Sequence, residues 1–296
     1  MILVTGATGN VGSQVVRELR DRSLFVRAFV RDRERARKAF GDGVDIALGD
    51  FDDRASVERA LQGVDRVFLS SSDGPRKVEH ETAVIEAAAA AGVRQIVKAS
   101  TMLAEAGSPL PAFDWNGRIE EHLRQSGLPA VILQSCFYMA NLLAGAEQIR
   151  QEGRLVAPAG QGRVAMIDPR DVGTVAAAVL TADGHDGRTY TLTGPEAISY
   201  SEVAETLSAV TGRQVEFLDV PEDAAQAGLA QAGMPEWLVQ QIVGVCRLIR
   251  GGRLAEVTDT VCVLTGQEPR RFTDFAHEVA PLLRPGSGAP MSSLGL

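Results

Sequence analysis

Three glycines near the N-terminus have the spacing of a dinucleotide-binding loop. Gly6, Gly9 and Gly12 follow the apolar run Ile2–Thr5 and open a helix that is predicted from Val11 to Arg22. The first glycine permits a tight turn, the second lets a pyrophosphate approach the backbone, and the third lets the helix pack closely on the strand. N–H groups at the start of the helix would bind the phosphate oxygens. The residues assigned to this site are Gly6, Thr8, Gly9, Asn10, Val11 and Gly12.

The end of the second predicted strand, Leu24–Val30, indicates which dinucleotide is bound. In such folds an acidic residue about 20 positions after the glycines binds the ribose 2′-hydroxyl of NAD. Here Arg31 is the residue that leaves the strand, and Asp32 follows it. A planar guanidinium can bind a 2′-phosphate and stack on adenine. We therefore predict NADPH as the cofactor, while Asp32 leaves NADH open and the basic run Arg33–Lys38 could be a solvated helix face.

Polar residues at two further strand ends are candidates for binding the adenosine half of the cofactor. Asp50 and Phe51 follow the third predicted strand, and Ser70 and Ser71 end the fourth. In doubly wound folds, ligands bind at the carboxyl ends of the strands. We therefore assign Asp50 and Phe51 to the adenine side and the two serines to the adenosine ribose.

These residues require a scaffold in which strand ends converge, and the first half of the chain predicts one. Strand-forming runs alternate with helical segments, and helices between strands make the crossovers of a parallel sheet. Right-handed crossovers on both faces give a doubly wound α/β fold. The predicted strands are Ile2–Thr5, Leu24–Val30, Val44–Leu48, Arg66–Ser70, Gln95–Ala99 and Ala130–Gln134, and the predicted helices are Val11–Arg22, Glu34–Phe40, Ala55–Leu61, Val78–Ala91 and Asn116–Ser126.

The second half of the chain predicts a substrate-covering region that is interleaved with this sheet. We divide the sequence into a dinucleotide-binding core at 1–135, a substrate-binding region at 136–284 and a disordered tail at 285–296, which is rich in Gly, Pro and Ser. Two helices are predicted between Pro221 and about Arg253, one before and one after the break at Gly233–Pro235. The second helix has an apolar face around Trp237 that either packs on the core or covers an apolar cleft.

Composition and charge restrict the class of protein. The chain has 296 residues, of which 45% are hydrophobic and 23% charged, as in ordinary soluble globular proteins. A net charge of −8 argues against a nucleic-acid partner or an anionic membrane surface. The three cysteines lack CxxC spacing and the histidines do not cluster with acidic residues, so we predict neither a disulfide framework nor a metal site. No secretion signal or long apolar span is evident, which predicts a cytoplasmic protein.

Several motifs together resemble one known family. They begin with the glycine loop and continue through nearly the whole chain. This pattern resembles the atypical short-chain dehydrogenase/reductases of the NmrA-like group. The motifs are GATGNVG at Gly6, VRD at Val30, GD at Gly49, VKAS at Val97, IEEHLRQSGLPAVIL at Ile119, FYMANLL at Phe137, IDPRDVG at Ile167 and YTLTGP at Tyr190.

The resemblance implies NADP(H) binding and a choice of activities. The family includes quinone and isoflavone-type reductases and tailoring ketoreductases of aromatic polyketides. It also includes a nucleotide-sensing partner of a repressor that has no known turnover. An enzyme that acts on a small aromatic molecule and a non-catalytic sensor that binds a protein are therefore both implied.

The catalytic residues of the wider family are only partly present here. In catalytic members a Tyr donates a proton to the carbonyl oxygen, a Lys four residues later lowers the pKa of that Tyr, and a Ser polarises the same oxygen. By matching position Ser100 retains the Ser, with Thr101 beside it, whereas Ala112 replaces the Tyr and Asn116 the Lys. Alanine cannot exchange a proton, and asparagine cannot tune a pKa through charge.

Hydride transfer without this Tyr–Lys pair remains chemically reasonable for an activated acceptor. Positioning of donor and acceptor carbons supplies a large part of the rate enhancement, and general acid catalysis adds typically about 10²–10⁴-fold. A quinone or a conjugated polycyclic ketone could take its proton from water or from its own hydroxyl groups. Tyr138, just after the sixth predicted strand, is a further candidate acid, although it could equally be a packing residue.

These observations lead to three functional hypotheses. The first is an NADPH-dependent reductase of a carbonyl or quinone on a bulky aromatic substrate, and its narrowest form is a ketoreductase of aromatic polyketide antibiotic biosynthesis. The second is a non-catalytic NADP(H) sensor with a protein partner. The third is a general NAD(P)H:quinone reductase. The catalytic candidates are Ser100, Thr101, Asn116 and Tyr138, and the sequence makes no prediction of oligomeric state.

Overall fold

The computed structural model describes residues 1–284, and its centre is a seven-stranded sheet of order β3-β2-β1-β4-β5-β6-β9 in which all neighbouring strands are parallel. Two small sheets pair β8 with β10 and β7 with β11. The strands are β1 Ile2–Val4, β2 Val26–Val30, β3 Asp45–Leu48, β4 Arg66–Leu69, β5 Gln95–Thr101, β6 Ala130–Ser135, β7 Arg154–Ala157, β8 Arg163–Val164, β9 Thr189–Leu192, β10 Ile198–Ser199 and β11 Glu216–Asp219.

Helices cover both faces of the main sheet. One layer contains α1, α2 and α7, and the other contains α3, α4 and α5. The helices are α1 Asn10–Asp21, α2 Arg33–Phe40, α3 Arg54–Ala60, α4 Lys77–Ala90, α5 Pro111–Gln125, α6 Ala146–Glu152, α7 Pro169–Thr181, α8 Tyr200–Thr211, α9 Glu222–Gln231, α10 Glu236–Arg250, α11 Thr260–Thr265 and α12 Phe272–Leu283, with a 3₁₀ segment at Met139–Gly145.

Packing on both faces of the sheet explains why the centres of its strands are mostly apolar. Successive side chains of a strand point to opposite faces, so Val4 packs against the α1 layer while Leu3 packs against the α4 layer. A strand covered on both sides is mostly apolar along both of its faces. The doubly wound α/β prediction is confirmed, and all six predicted strands of the first half are present.

Of the boundaries that differ from the sequence prediction, the two largest differences at the start of an element have local reasons. Helix α5 begins at Pro111 rather than at Asn116, because proline at the first helical position costs no hydrogen bond and has a helical φ already. Strand β2 begins at Val26 rather than at Leu24, because Ser23 has a φ of 59° that turns the chain just before it, and Leu24 is exposed.

The second half of the chain contributes to two regions. Strand β9 extends the main sheet beside β6, and α7 packs against α1. Residues of α6, β7, α8 and α12 share a separate apolar cluster, α11 packs against α7, and α10 lies against α5. Within residues 1–284, no helix has the length and apolarity needed to cross a membrane. The disordered tail predicted at 285–296 lies outside the described residues.

The order of the strands in the main sheet indicates where a ligand would bind. The chain reverses direction across the sheet between β1 and β4, so the loops that follow these two strands diverge to opposite faces. Ligands of doubly wound folds bind in the crevice at such a switch point, at the carboxyl ends of the strands.

Candidate active site

The loop after β1 has the geometry of a phosphate cradle. The Thr5 hydroxyl donates to the Ser70 carbonyl at 2.8 Å and accepts from the Ser70 N–H at 2.9 Å, which ties the ends of β1 and β4 together. Gly6 then adopts a φ of 58°, and the Gly9 N–H donates to the Gly6 carbonyl at 2.9 Å. A left-handed φ favours glycine because it has no Cβ.

Three features of this loop fit a bound dinucleotide. A Cβ on Gly12 would lie 2.2 Å from the Gly6 carbonyl oxygen, so only glycine allows α1 to start so close to the loop. The Asn10 Oδ1 atom is buried and has no hydrogen-bond partner within residues 1–284. Since buried polar atoms are nearly always hydrogen-bonded, this oxygen is suited to accept a hydrogen bond from a hydroxyl or N–H group of the dinucleotide, whereas the phosphates have no hydrogen to donate. Helix α1 begins without a side-chain cap, which leaves its first N–H groups for an anion.

The end of β2 separates the roles of Arg31 and Asp32. Arg31 is the first residue after the strand and is exposed. The Asp32 carboxylate accepts a hydrogen bond from the Arg35 N–H at 3.0 Å and caps α2. Because the carboxylate already serves the helix, the guanidinium of Arg31 is the group at this strand end that remains for a ligand.

The loop after β3 holds Phe51 in an aromatic stack. The ring of Phe51 lies parallel to His80 at a centroid distance of 5.6 Å and edge-on to Phe29 at 5.4 Å. Asp50 donates its N–H to the Ser56 hydroxyl at 3.1 Å and accepts from the Asp52 N–H at 3.0 Å. Both predicted adenine-side residues therefore belong to a loop that is held by contacts within the protein.

A buried ionic cluster lies beneath the ends of β4 and β5. The carboxylate of Glu81 accepts from the Ser71 hydroxyl at 2.7 Å and from Lys77 Nζ at 2.9 Å, and Lys98 Nζ lies 3.1 Å from it. Burial raises the pKa of Glu81, but the two ammonium groups outweigh this effect and lower that pKa to about 2. Burial, reinforced by the charge of Lys77, lowers the pKa of Lys98 despite its contact with Glu81. We name Lys77, Glu81 and Lys98 the buried triad.

Asn116 is joined to this triad. Lys98 Nζ donates to Asn116 Oδ1 at 2.8 Å, and Asn116 Nδ2 donates to the Ala112 carbonyl at 2.8 Å. Both ends of the Asn116 amide are therefore used inside the protein. The ammonium group of Lys98 thus contacts Asn116, the residue that replaces the helical lysine of related enzymes.

The two hydroxyls at the end of β5 have different surroundings. Ser100 is buried and donates to Glu120 Oε1 at 2.5 Å. Glu120 also accepts from Gln134 at 3.0 Å and from Arg124 at 2.8 Å, so its carboxylate is held in place. Thr101 is only partly buried, and its hydroxyl has one long contact of 3.5 Å, to the carbonyl of Met102. The proton of Ser100 is committed to Glu120, whereas the hydroxyl of Thr101 remains for a ligand.

Tyr138 lies just after β6 with its ring partly buried. Its backbone pairs with Ile167, and its ring packs against the cluster beneath α1 and α7. Burial raises the pKa of its phenol, and the charge of Asp73 adds to this, whereas Ser135 and Lys77 oppose it. The phenol therefore keeps its proton at neutral pH, and it has both packing contacts and polar neighbours.

Helix α10 lies against the start of α5. The Ala112 N–H donates to Gln241 Oε1 at 3.0 Å, and the Trp115 and Trp237 rings are 5.3 Å apart. The apolar cluster of Leu110, Ala112 and Phe113 is closed by residues of α10. The structure shows that the Trp237 face packs on the main domain, and its second predicted role, that of covering an apolar cleft, stays a prediction.

The structure brings the predicted site residues to one edge of the sheet. They follow the carboxyl ends of β1, β2, β3, β4, β5 and β6, and Asn116 is linked to them through Lys98. Sequence reasoning did not single out Glu81, Glu120 or Gln241. A signal existed for the buried triad, since Lys98 interrupts the apolar run from Ile96 to Ala99 and Lys77 precedes Glu81 by one helical turn. In residues 1–284, no three His, Cys, Asp or Glu side chains form a group that could hold a metal ion.

The chain is similar in sequence to two reductases of known activity over nearly its whole length. The NAD(P)H azoreductase of Xenophilus azovorans is 39% identical over 276 residues, which are 93% of this chain and 96% of that protein. The (4-alkanoyl-5-oxo-2,5-dihydrofuran-3-yl)methyl phosphate reductase of Streptomyces griseus is 41% identical over 286 residues, 96% of this chain and 100% of that protein.

A solved structure and a family profile extend the comparison. The NADPH-dependent quinone oxidoreductase of Escherichia coli, solved in complex with NADPH, superposes with a TM-score of 0.86 at 30% identity and covers 94% of this chain and 99% of its own. The profile of the NmrA-like family matches residues 1–264. The chain belongs to the NmrA-like family.

Proposed function

We propose that this protein is an NADPH-dependent reductase that transfers hydride to a carbonyl or quinone of a bulky aromatic substrate. The observation that carries the proposal is the cradle of Gly6, Gly9 and Gly12 at the switch point, where only glycine allows α1 to start so close to the loop. Relatives named as an NAD(P)H azoreductase and an NADPH-dependent quinone oxidoreductase support this reaction class.

The chain's own residues would hold the cofactor in three places. The N-terminus of α1 and its glycine loop would bind the pyrophosphate, and Arg31 the 2′-phosphate. Asp50, Phe51, Ser70 and Ser71 would surround the adenosine, with Phe51 fixed by its aromatic neighbours. NADPH supplies the hydride.

Removal of the Arg31 side chain tests the cofactor assignment. In the Arg31→Ala variant we expect the Kd for NADPH to rise about 10- to 100-fold, because a charge-assisted contact to the 2′-phosphate is lost. The Kd for NADH should change less than about threefold. Titration of the protein with each reduced cofactor, followed by the fluorescence of its nicotinamide, measures the two Kd values. Arg33→Ala, two residues further into the exposed start of α2, is the matched control. Equal losses for the two cofactors would remove the 2′-phosphate role of Arg31.

We assign the contact to the substrate oxygen to Thr101 rather than to Ser100. The hydroxyl of Thr101 is available, whereas Ser100 donates to the buried Glu120 and fixes the end of β5. Thr101→Val should lower kcat about 10-fold, the worth of one neutral hydrogen bond in a transition state. Thr101→Ser retains the hydroxyl and should keep most of the activity. A Thr101→Val enzyme with the wild-type kcat would exclude this contact.

Tyr138 and Asn116 are the two residues to consider when the source of the proton is assigned. Tyr138 keeps its proton at neutral pH and is our candidate acid from the chain, whereas Asn116 acts through its bond to Lys98 rather than as an acid. An activated acceptor would also accept a proton from water.

We propose that the region 136–284, in which α10 lies against α5, is the substrate-binding half of the protein. The narrowest substrate that we propose is a polycyclic ketone of aromatic polyketide biosynthesis.

A second candidate function has one observation in its favour. Neither Ala112 nor Asn116 can serve as the usual acid, which suits a protein that binds NADP(H) without turnover. The deciding experiment is NADPH oxidation by the purified protein with quinones, azo dyes and polycyclic aromatic ketones, with identification of products. A reduced product would establish the reductase and would rank the acceptor classes. Tight NADPH binding without turnover of any acceptor would favour the sensor.

A further inference from the structure

One side chain of α10 is fixed at the residue that replaces the usual tyrosine. Gln241 Oε1 accepts from the backbone N–H of Ala112 at 3.0 Å. Ala112 is the second residue of α5, so its N–H has no partner within its own helix. The amide of Gln241 thus supplies a missing hydrogen bond to the helix that carries catalysis in related reductases.

This contact also determines the orientation of the amide. A backbone N–H can only donate, so the oxygen of Gln241 must face Ala112 and Nε2 must point away from it. Gln241 is partly exposed, and within the described chain Nε2 has no protein hydrogen-bond partner. Its two N–H groups are therefore free donors beside the position of the absent tyrosine.

The surroundings of Gln241 hold it in place. A Cβ on Gly244 would lie 2.1 Å from a methyl carbon of Leu110, so glycine lets α10 approach the start of α5 closely. Trp237 packs against Trp115, and Gln240 Nε2 donates to the Pro109 carbonyl at 2.9 Å. Helix α10 is thus joined to α5 at several points, and a donor on it is pre-positioned rather than carried by a mobile loop.

We infer that Gln241 takes over the hydrogen-bonding part of the tyrosine's role and orients the acceptor oxygen of the substrate. The inference rests on the proposed reductase function. The acceptor gains a hydride from NADPH, which leaves as NADP⁺, and one proton from water or Tyr138. Negative charge develops on the acceptor oxygen during hydride arrival, and the Nε2 hydrogens stabilise it without leaving the amide.

Two substitutions separate this role from support of α5. Gln241→Glu keeps an oxygen acceptor for the Ala112 N–H but replaces the donor by a negative charge. Gln241→Met removes both the acceptor and the donor at similar length. We expect kcat at pH 7.5 to fall about 10- to 100-fold in both variants, with the Kd for NADPH unchanged. Gln240→Ala, which removes only the contact to Pro109, is the control for loosening of α10 and should keep kcat within about twofold.

The Gln241→Glu variant provides a signature that a structural role would not give. A glutamic acid side chain has an ordinary pKa of about 4.3, so the carboxyl group introduced by this substitution becomes a donor again when it is protonated at low pH. The ratio of the variant's kcat to that of the wild type should therefore rise as the pH falls from about 7.5 to about 5. A wild-type protein that reduces acceptors while Gln241→Glu keeps full activity at neutral pH would overturn the inference and leave the reductase intact. A wild-type protein without any turnover would overturn both.

Discussion

Replacement of Glu81 by glutamine is expected to lower the free energy of unfolding by about 3–5 kcal/mol. The carboxylate is fully buried between the ammonium groups of Lys77 and Lys98, at 2.9 Å and 3.1 Å. Removal of one partner of a buried ion pair is costly because the remaining charge stays desolvated and uncompensated. Here two like charges would remain. Urea unfolding followed by circular dichroism measures the loss.

Two further variants make this expectation specific to burial and charge. Glu79→Gln lies on the same helix and breaks a solvent-exposed pair with Arg76, so it should leave the free energy of unfolding close to that of the wild type. In the Glu81→Gln/Lys98→Met double variant one of the two stranded charges is gone, and we expect it to be more stable than Glu81→Gln alone. A Glu81→Gln protein as stable as the Glu79→Gln protein would contradict the assignment of a stabilising buried triad.

The same carboxylate predicts a pH dependence of stability. Its pKa is about 2 in the folded protein, below its ordinary value of 4.5. A carboxyl group whose pKa is lowered by folding stabilises the protein above its unfolded pKa, and this contribution is lost as the pH falls toward the folded pKa. The free energy of unfolding of the wild type should therefore decrease between about pH 4.5 and 2, and the Glu81→Gln protein should lack this part of the decrease.

Replacement of Gly12 by alanine is expected to raise the Kd for NADPH more than about 100-fold. The added Cβ would lie 2.2 Å from the Gly6 carbonyl oxygen and 2.8 Å from its carbon. Both are backbone atoms, so either the loop or the start of α1 must move, and the N–H groups that face the pyrophosphate move with it. Isothermal titration calorimetry of NADPH binding measures the effect.

A graded set of glycine variants controls for nonspecific damage. A Cβ on Gly9 would lie 3.2 Å from the same oxygen, which requires only a small shift, so Gly9→Ala should weaken binding less than Gly12→Ala. A Cβ on Gly145 would meet no atom within 4 Å, and this residue has a φ of −91°. Gly145→Ala should bind NADPH as the wild type does. Any other order of the three affinities would contradict the cradle as the cause.

The structure suggests how a reductase of this family can work without the usual pair on α5. The residues that replace Tyr and Lys, Ala112 and Asn116, are each joined to a group from another element. Gln241 of α10 binds the backbone of Ala112, and Lys98 of β5 binds the amide of Asn116. A hydrogen-bond donor and a positive charge are thus present near these positions although the helix itself provides neither.

The amino-acid sequence was sufficient for the fold and for the edge of the sheet on which the site lies. Apolar runs of strand length that alternate with helical segments predict a parallel sheet. Parallel strands need a long crossover connection, and a helix usually provides it. The glycines and Arg31 could be predicted as cofactor-binding residues because the function assigned to them depends on local spacing along one βαβ unit. Such signals lie within about 30 residues of each other and need no knowledge of distant contacts.

The state of each catalytic candidate was decided only by the tertiary structure. Sequence could not distinguish Ser100 from Thr101, because the difference arises from Glu120 and Gln134 on other elements. It could not show that both ends of Asn116 are occupied, or that Gln241 lies against Ala112 from 129 positions away. Hydrogen bonds between residues far apart in the chain form only when the core packs, and they determine which polar groups remain free to bind a substrate.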